Sequence, residues 1–170
     1  MSRSRPRALT CLTGAAVVGA LVLGGCSGAV EVDVVDLDPG QQAACEALVG
    51  ELPDRLEDIG EEGLARVDVT PSDAPAAAYG DPAVVITCGV ARPSAYDQFA
   101  ECQEIDGVGW FVPEDQIGDE PVEVTLTAVG YRPRVQVVVP AEYWPMGTPS
   151  VTAALAGPVQ DSVALVDRCR

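Results

Sequence analysis

The sequence predicts an α+β fold: a mostly antiparallel sheet of about four to six strands, with an N-terminal and a C-terminal helix packed on one face as a two-layer sandwich. Three observations predict it. Apolar residues recur at three- and four-residue steps from Cys45 onward and again from Val151 onward. Between these stretches lie short runs rich in valine and threonine. Those runs are punctuated by glycine, proline and Asp-Gly turn signals.

The elements follow in order. Cys45, Leu48, Leu52, Leu56 and Ile59 mark the stripe of a first helix, since side chains three and four apart share a helix face. Pro53 lacks an amide proton and ends or kinks that helix after Leu52. Gly60 and Gly63 release the chain, and a short strand follows around Arg66–Val69. "PSDAPAAAYGDP" reads as a loop that turns at Gly80-Asp81-Pro82. "AVVITCGV" (83–90) is the clearest strand, with Val84, Ile86 and Cys88 on one face.

"EIDGVGWF" carries Asp106-Gly107, a signal for a two-residue type I′ hairpin. "VEVTLTAV" (122–129) and "RVQVVVP" (134–140) are two more strands, joined by Gly130–Pro133. Thr148-Pro149 reads as an N-cap with proline at the first helical position. Val151, Leu155, Val159, Val163 and Val166 line the second helix, which Gly157-Pro158 should kink.

The N-terminus carries a different signal. Arg3, Arg5 and Arg7 precede an apolar run that reaches Gly25, and Leu23-Gly24-Gly25-Cys26 closes it. A basic head and an apolar middle make a secretory leader. The run is slightly short for a spanning helix, which needs ~20 apolar residues. The small pair before Cys26 resembles a lipobox, in which that thiol receives diacylglycerol. Residues 1–25 are therefore expected to be a lipoprotein signal peptide, residues 26–40 a lipidated tether and residues 41–170 a single globular domain. Val30, Val32 and Val34 alternate with acids, which allows an edge strand there as readily as an extended tether of at most about 45 Å.

Charge sets the expected partners. All 26 acids follow Cys26, against seven arginines, for a net charge of −19 on the part after the leader. Such a surface repels anionic polymers, so no nucleic acid is expected. The membrane would be held by the lipid, and an envelope protein or cell-wall component is the expected partner. The chain has no His, Lys or Asn. That excludes Ser-His and Cys-His catalytic pairs, histidine-ligated metals and Schiff-base lysines. No cofactor is expected.

Four cysteines remain for the folded part: Cys45, Cys88, Cys102 and Cys169. An even number outside the membrane implies two disulfides. Cys45–Cys88 with Cys102–Cys169 is the favoured pairing, because Cys88 points to the core and Cys45 lies on the helix stripe. Cys88–Cys102 with Cys45–Cys169 stays open.

The segments "CEALVGELP" (45–53), "YGDPAVVITCGV" (79–90), "CQEIDGVGW" (102–110) and "VQVVVPAEY" (135–143) together resemble DUF3515, an actinobacterial family of secreted or lipid-anchored proteins of unknown function. The resemblance spans roughly residues 40–167. It implies an extracytoplasmic location, a single domain and a cell-wall context, and it brings no activity. Tyr79 stands where the family more often has Trp, and Asp106-Gly107 where Asn-Gly is common.

Few residues suggest a site. Tyr79, Asp81, Trp110, Tyr143 and Trp144 would form a ligand groove if exposed, since aromatics beside a carboxylate stack sugars or clamp peptides. The bland alternative is a capped turn and a covered sheet. Acid pairs such as Glu114 with Asp115, Asp119 with Glu120 and Glu61 with Glu62 are sequence neighbours. A glycosidase needs carboxyls facing across a cleft, so no catalytic residue is assigned. "DVVDLD" (33–38) and "EDQIGDE" (114–120) lack the spacing of a calcium loop, and no metal site is expected. Arg132 and Arg134 stand out on an acidic chain, either as receivers of a partner's carboxylate or as partners of nearby acids.

The function expected from this reading is a cell-envelope lipoprotein on the outer face of the cytoplasmic membrane, acting as a non-enzymatic binding or accessory module. The alternative is a carboxylate-dependent hydrolase of cell-wall glycan or peptide.

Overall fold

The structure, a computed structural model, describes residues 28–97 and 99–169. The expected leader and Cys26 lie outside the described residues. The fold is α+β, with twelve strands and two α-helices: β1 (Val30–Glu31), α1 (Pro39–Glu51), β2 (Arg55–Leu56), β3 (Leu64–Val67), β4 (Val69–Thr70), β5 (Ala76–Tyr79), β6 (Val84–Cys88), β7 (Cys102–Ile105), β8 (Val108–Phe111), β9 (Val124–Thr127), β10 (Tyr131–Arg132), β11 (Val135–Val139), α2 (Gly147–Ser162) and β12 (Ala164–Leu165). The main sheet has eight strands rather than four to six, in the order β2-β3-β5-β6-β11-β9-β8-β7. Every neighbour in it is antiparallel. Two small ribbons flank it, a parallel β1–β4 and an antiparallel β10–β12.

The extra strands come from segments whose composition hides them. β5 is Ala76-Ala77-Ala78-Tyr79, expected as loop. Alanine is a poor strand former, yet all four residues are buried. Ala77 and Tyr79 enter the main core, whereas Ala76 enters a second, smaller cluster with Val32 and Ala74. Small side chains suit a strand covered on both faces. Leu56 and Ile59 also leave the expected helix. They lie beyond Pro53 and reach the core from β2 and the loop after it.

α1 starts earlier than the apolar stripe suggests. The Asp38 carboxylate accepts hydrogen bonds from Gly40 N at 2.8 Å and Gln41 N at 3.0 Å, and Gln41 Oε1 accepts from Asp38 N at 3.3 Å. This reciprocal pair satisfies amides that a helix start leaves without partners. Upstream, β1 pairs with Val69–Thr70, so the chain already belongs to the fold at Val30. α2 runs through Pro158, and its N-cap is Met146 rather than Thr148. It ends at Ser162, so Val166 is not on its stripe and is exposed.

One core joins these layers. Cys45 and Leu48 of α1 and Val151, Leu155 and Val159 of α2 meet Val84, Ile86 and Cys88 of β6 and Val135, Val137 and Val139 of β11. Burying a leucine such as Leu48 or Leu155 contributes about 2–3 kcal/mol. The Asp106-Gly107 hairpin forms as expected, with φ of 49° and 83°. Its turn is held to α2 by Gln160 Nε2, which donates to Asp106 O at 2.7 Å.

Both favoured disulfides are present. Cys45–Cys88 ties α1 to β6 across a Cα–Cα distance of 5.5 Å. Cys102–Cys169 ties β7 to the C-terminal segment across 5.7 Å.

Candidate functional site

The aromatic residues do not form a shared groove. Tyr79 and Trp110 are both 0% exposed, on β5 and β8. Those strands are separated by β6, β11 and β9. Tyr79 Oη donates to Pro53 O at 2.7 Å. Tyr143 is half-buried, and its hydroxyl donates to Pro82 O at 2.6 Å. Only Asp81 and Trp144 are exposed. The correction has a physical reason: alternation puts Tyr79 and Trp110 on the inward face of their strands, where each fills the core. Burial raises the Tyr79 phenol above its usual 10.0; Arg66 lowers it and Asp54 raises it further. Burial also raises Tyr143, with Asp81 and Glu142 adding to the effect.

A different site lies beyond the other end of the sheet. A pocket of about 590 Å3 is lined by Arg92, Arg132, Arg134 and Arg168, which are four of the seven arginines after Cys26. Three acids, Asp97, Glu101 and Asp167, also reach it. Sequence reasoning singles out Arg132 and Arg134 alone. Arg92 and Arg168 lie far from them in the chain and arrive through the fold.

Two segments bring them. Residues 129–134 supply the floor. Arg132 donates to Val129 O at 2.8 Å and Tyr131 O at 2.6 Å, which pins its guanidinium over the turn between β9 and β11. The C-terminal segment supplies a wall. Val166 N and Asp167 N both donate to Gly130 O, at 2.9 and 3.1 Å. A Cβ at Gly130 would run into the Asp167 carbonyl, so the close approach needs glycine there. β12 pairs with β10, and Cys169 is bonded to Cys102. On the third side Arg92 lies 4.9 Å over the Tyr96 ring and donates to Tyr96 O at 3.0 Å. Tyr96 packs edge-on against Phe111 at 5.2 Å.

The electrostatics of this pocket are uneven. Arg134 is half-buried, and its Nε is buried with no hydrogen-bond partner. Its proton affinity is lowered by burial first, then by Arg132 and Arg92. Arg132 and Arg92 donate to main-chain carbonyls, not to acids. All three acids are exposed, as are Arg92 and Arg168, while Arg132 and Arg134 are partly buried. An adjoining hollow of about 820 Å3 shares Asp97 and Glu101 and is lined by Phe111, Val112 and Ile117.

Among the described residues, no group of three or more His, Cys, Asp or Glu could hold a metal ion. Among the same residues, no helix is long and apolar enough to cross a membrane. No curated protein and no solved structure matches the chain. A family model described as a protein of unknown function matches residues 7–166. The chain therefore belongs to the DUF3515 family.

Proposed function

We propose that the protein is a cell-envelope lipoprotein, held by diacylglycerol on Cys26 at the outer face of the cytoplasmic membrane, whose globular domain is a non-enzymatic binding module with the arginine-lined pocket as its binding site. The observation that carries the binding reading is the gathering of four arginines into one pocket on a chain with a net charge of −19 after the leader. Like charges brought together cost stability, so a folded protein keeps such a cluster where something else compensates it. Among the described residues, the groups with shifted proton affinity are three tyrosines and Arg134. Phenols held protonated and an arginine suit recognition better than proton transfer near neutral pH. The anchor reading is supported by Leu23-Gly24-Gly25-Cys26 and by the basic head before it.

Mass spectrometry of the N-terminus from native membranes tests the anchor. A chain that begins at Cys26 with a diacylglycerol mass is expected; an unmodified chain beginning elsewhere refutes it. Crosslinking in intact cells, followed by capture of the lipid-bearing form, tests the module. A discrete partner or wall fragment is expected, and recovery of bulk membrane protein alone counts against it.

A further inference from the structure

The pocket arginines fall into two kinds. Arg132 is committed to the carbonyls of residues 129 and 131, and Arg92 to Tyr96. Arg134 is uncommitted at Nε even though that atom is buried. A buried donor without a partner costs ~1–3 kcal/mol. The guanidinium is a planar fork of donors that matches a planar oxyanion in bidentate fashion. Nε itself is closed to the pocket, so an anion would meet the outer nitrogens of the Arg134 fork, where it would relieve the mutual repulsion of Arg92, Arg132 and Arg134.

The mouth of the pocket restricts which anion fits. Asp97, Glu101 and Asp167 leave the lining with one net positive charge. The exposed lining sets three carboxylates against Arg92 and Arg168, one net negative charge, so a dianion or polyanion gains less there than a monoanion with a cationic group behind it, which meets carboxylates outside and the partly buried Arg132 and Arg134 inside. A volume of about 590 Å3 lies in the range that small ligands occupy.

We propose that the pocket takes the free carboxylate of a short peptide or amino acid, seated against Arg134 and Arg132, with the ligand's ammonium toward Asp97, Glu101 and Asp167. This rests on the binding-module reading and names its ligand class. Arg168 and Arg92 close the two sides, and the Tyr96 ring supplies an aromatic flank.

The test uses the full lipid-bearing protein in detergent micelles, offered a defined pool of unblocked tripeptides and the same pool amidated at the C-terminus. Mass spectrometry reads what is retained. Capture from the free-acid pool is expected, with a loss of about tenfold or more from the amidated pool and a similar loss in R134Q. R92Q, an exposed position, should weaken capture too, and it keeps the test alive if R134Q fails to fold. Equal capture from both pools, no capture from either, or a free-acid signal unchanged in both variants overturns the proposal. So does displacement of the peptides by inorganic phosphate at lower concentration than by acetate. The N-terminal mass measurement is independent of all these results, so loss of the ligand class and loss of the anchor are told apart.

Discussion

The two ends of the sheet treat polar groups in opposite ways. At the Tyr79–Tyr143 end, each buried or half-buried hydroxyl has a main-chain carbonyl within 2.7 Å. At the arginine end, three guanidiniums crowd together and a buried Nε has no partner. Both disulfides lie toward the arginine end, since Cys88 pairs with Val135 beside Arg134 and Cys169 lines the pocket. Cys45–Cys88 lies fully buried between helix and sheet, whereas Cys102–Cys169 fastens a pocket wall. The first end is built to be closed, the second to be held open.

The largest expected effect separates the two bridges. Loop-closure entropy alone ranks them nearly equal, at about 4 kcal/mol each, for sequence separations of 43 and 67. The C45A/C88A pair also removes two fully buried side chains and leaves a void. It should therefore lose more stability in thermal unfolding than C102A/C169A, by about 1 kcal/mol or more. C102A/C169A should instead weaken ligand capture, because the segment carrying Arg168 loses its covalent tie. The reverse order of stability would break the distinction between the two bridges.

A smaller effect is expected at Tyr79. Y79F deletes the hydrogen bond to Pro53 O and leaves a partly buried carbonyl unpaired, at a cost of about 1–2 kcal/mol. It should leave pocket binding intact. The same phenol gives a pH signature. Burial, the largest cause, raises its folded-state value above 10.0. The folded protein therefore holds that proton more tightly than the unfolded chain. The corresponding stability is fully present below pH 10.0 and is lost as pH rises from there through the raised folded value. Alkaline unfolding curves of Y79F should be flatter than wild type in that window, with the residual slope due to Tyr131 and Tyr143. An identical slope would show that the closed end contributes no such linkage.

The smallest effect has the opposite sign. R134Q removes an unpaired buried donor and one of three repelling charges, so its melting temperature should equal or exceed wild type, within about 0.5 kcal/mol. A substitution that costs no stability yet abolishes capture is the signature of a residue kept for function. A large destabilisation would make Arg134 a structural residue and put the two ends on the same footing.

Much of the core is legible in the sequence. Val84, Ile86 and Cys88 alternate cleanly, the Asp106-Gly107 turn declares its hairpin, and Cys45 falls on a helix stripe facing Cys88. The misreadings have local causes. Ala76-Ala77-Ala78 has no strand propensity, because it is chosen for size under two covering clusters and not for a half-buried surface. Leu56 and Ile59 keep helical spacing by coincidence after Pro53 has ended the helix. Asp38 and Gln41 form a capping box that an acidic, proline-containing stretch masks.

The open end is almost illegible. Arg132 and Arg134 stand out on an acidic chain, but Arg168 joins them only when the C-terminal segment docks on Gly130, and Arg92 only because β6 pairs with β11, where Gly89 N donates to Arg134 O. No periodicity marks a contact between positions so far apart. The aromatic residues mislead for the complementary reason: their chemistry suggests recognition, while strand alternation commits Tyr79 and Trp110 to the interior.

The early pairing of Val30–Glu31 with Val69–Thr70 has a spatial consequence. If Cys26 carries the proposed lipid, only three residues lie between it and the first strand, a span of at most about 14 Å. Under the proposed anchor, a globule on so short a link would ride against the headgroups, and a ligand would have to come to the bilayer surface to be met.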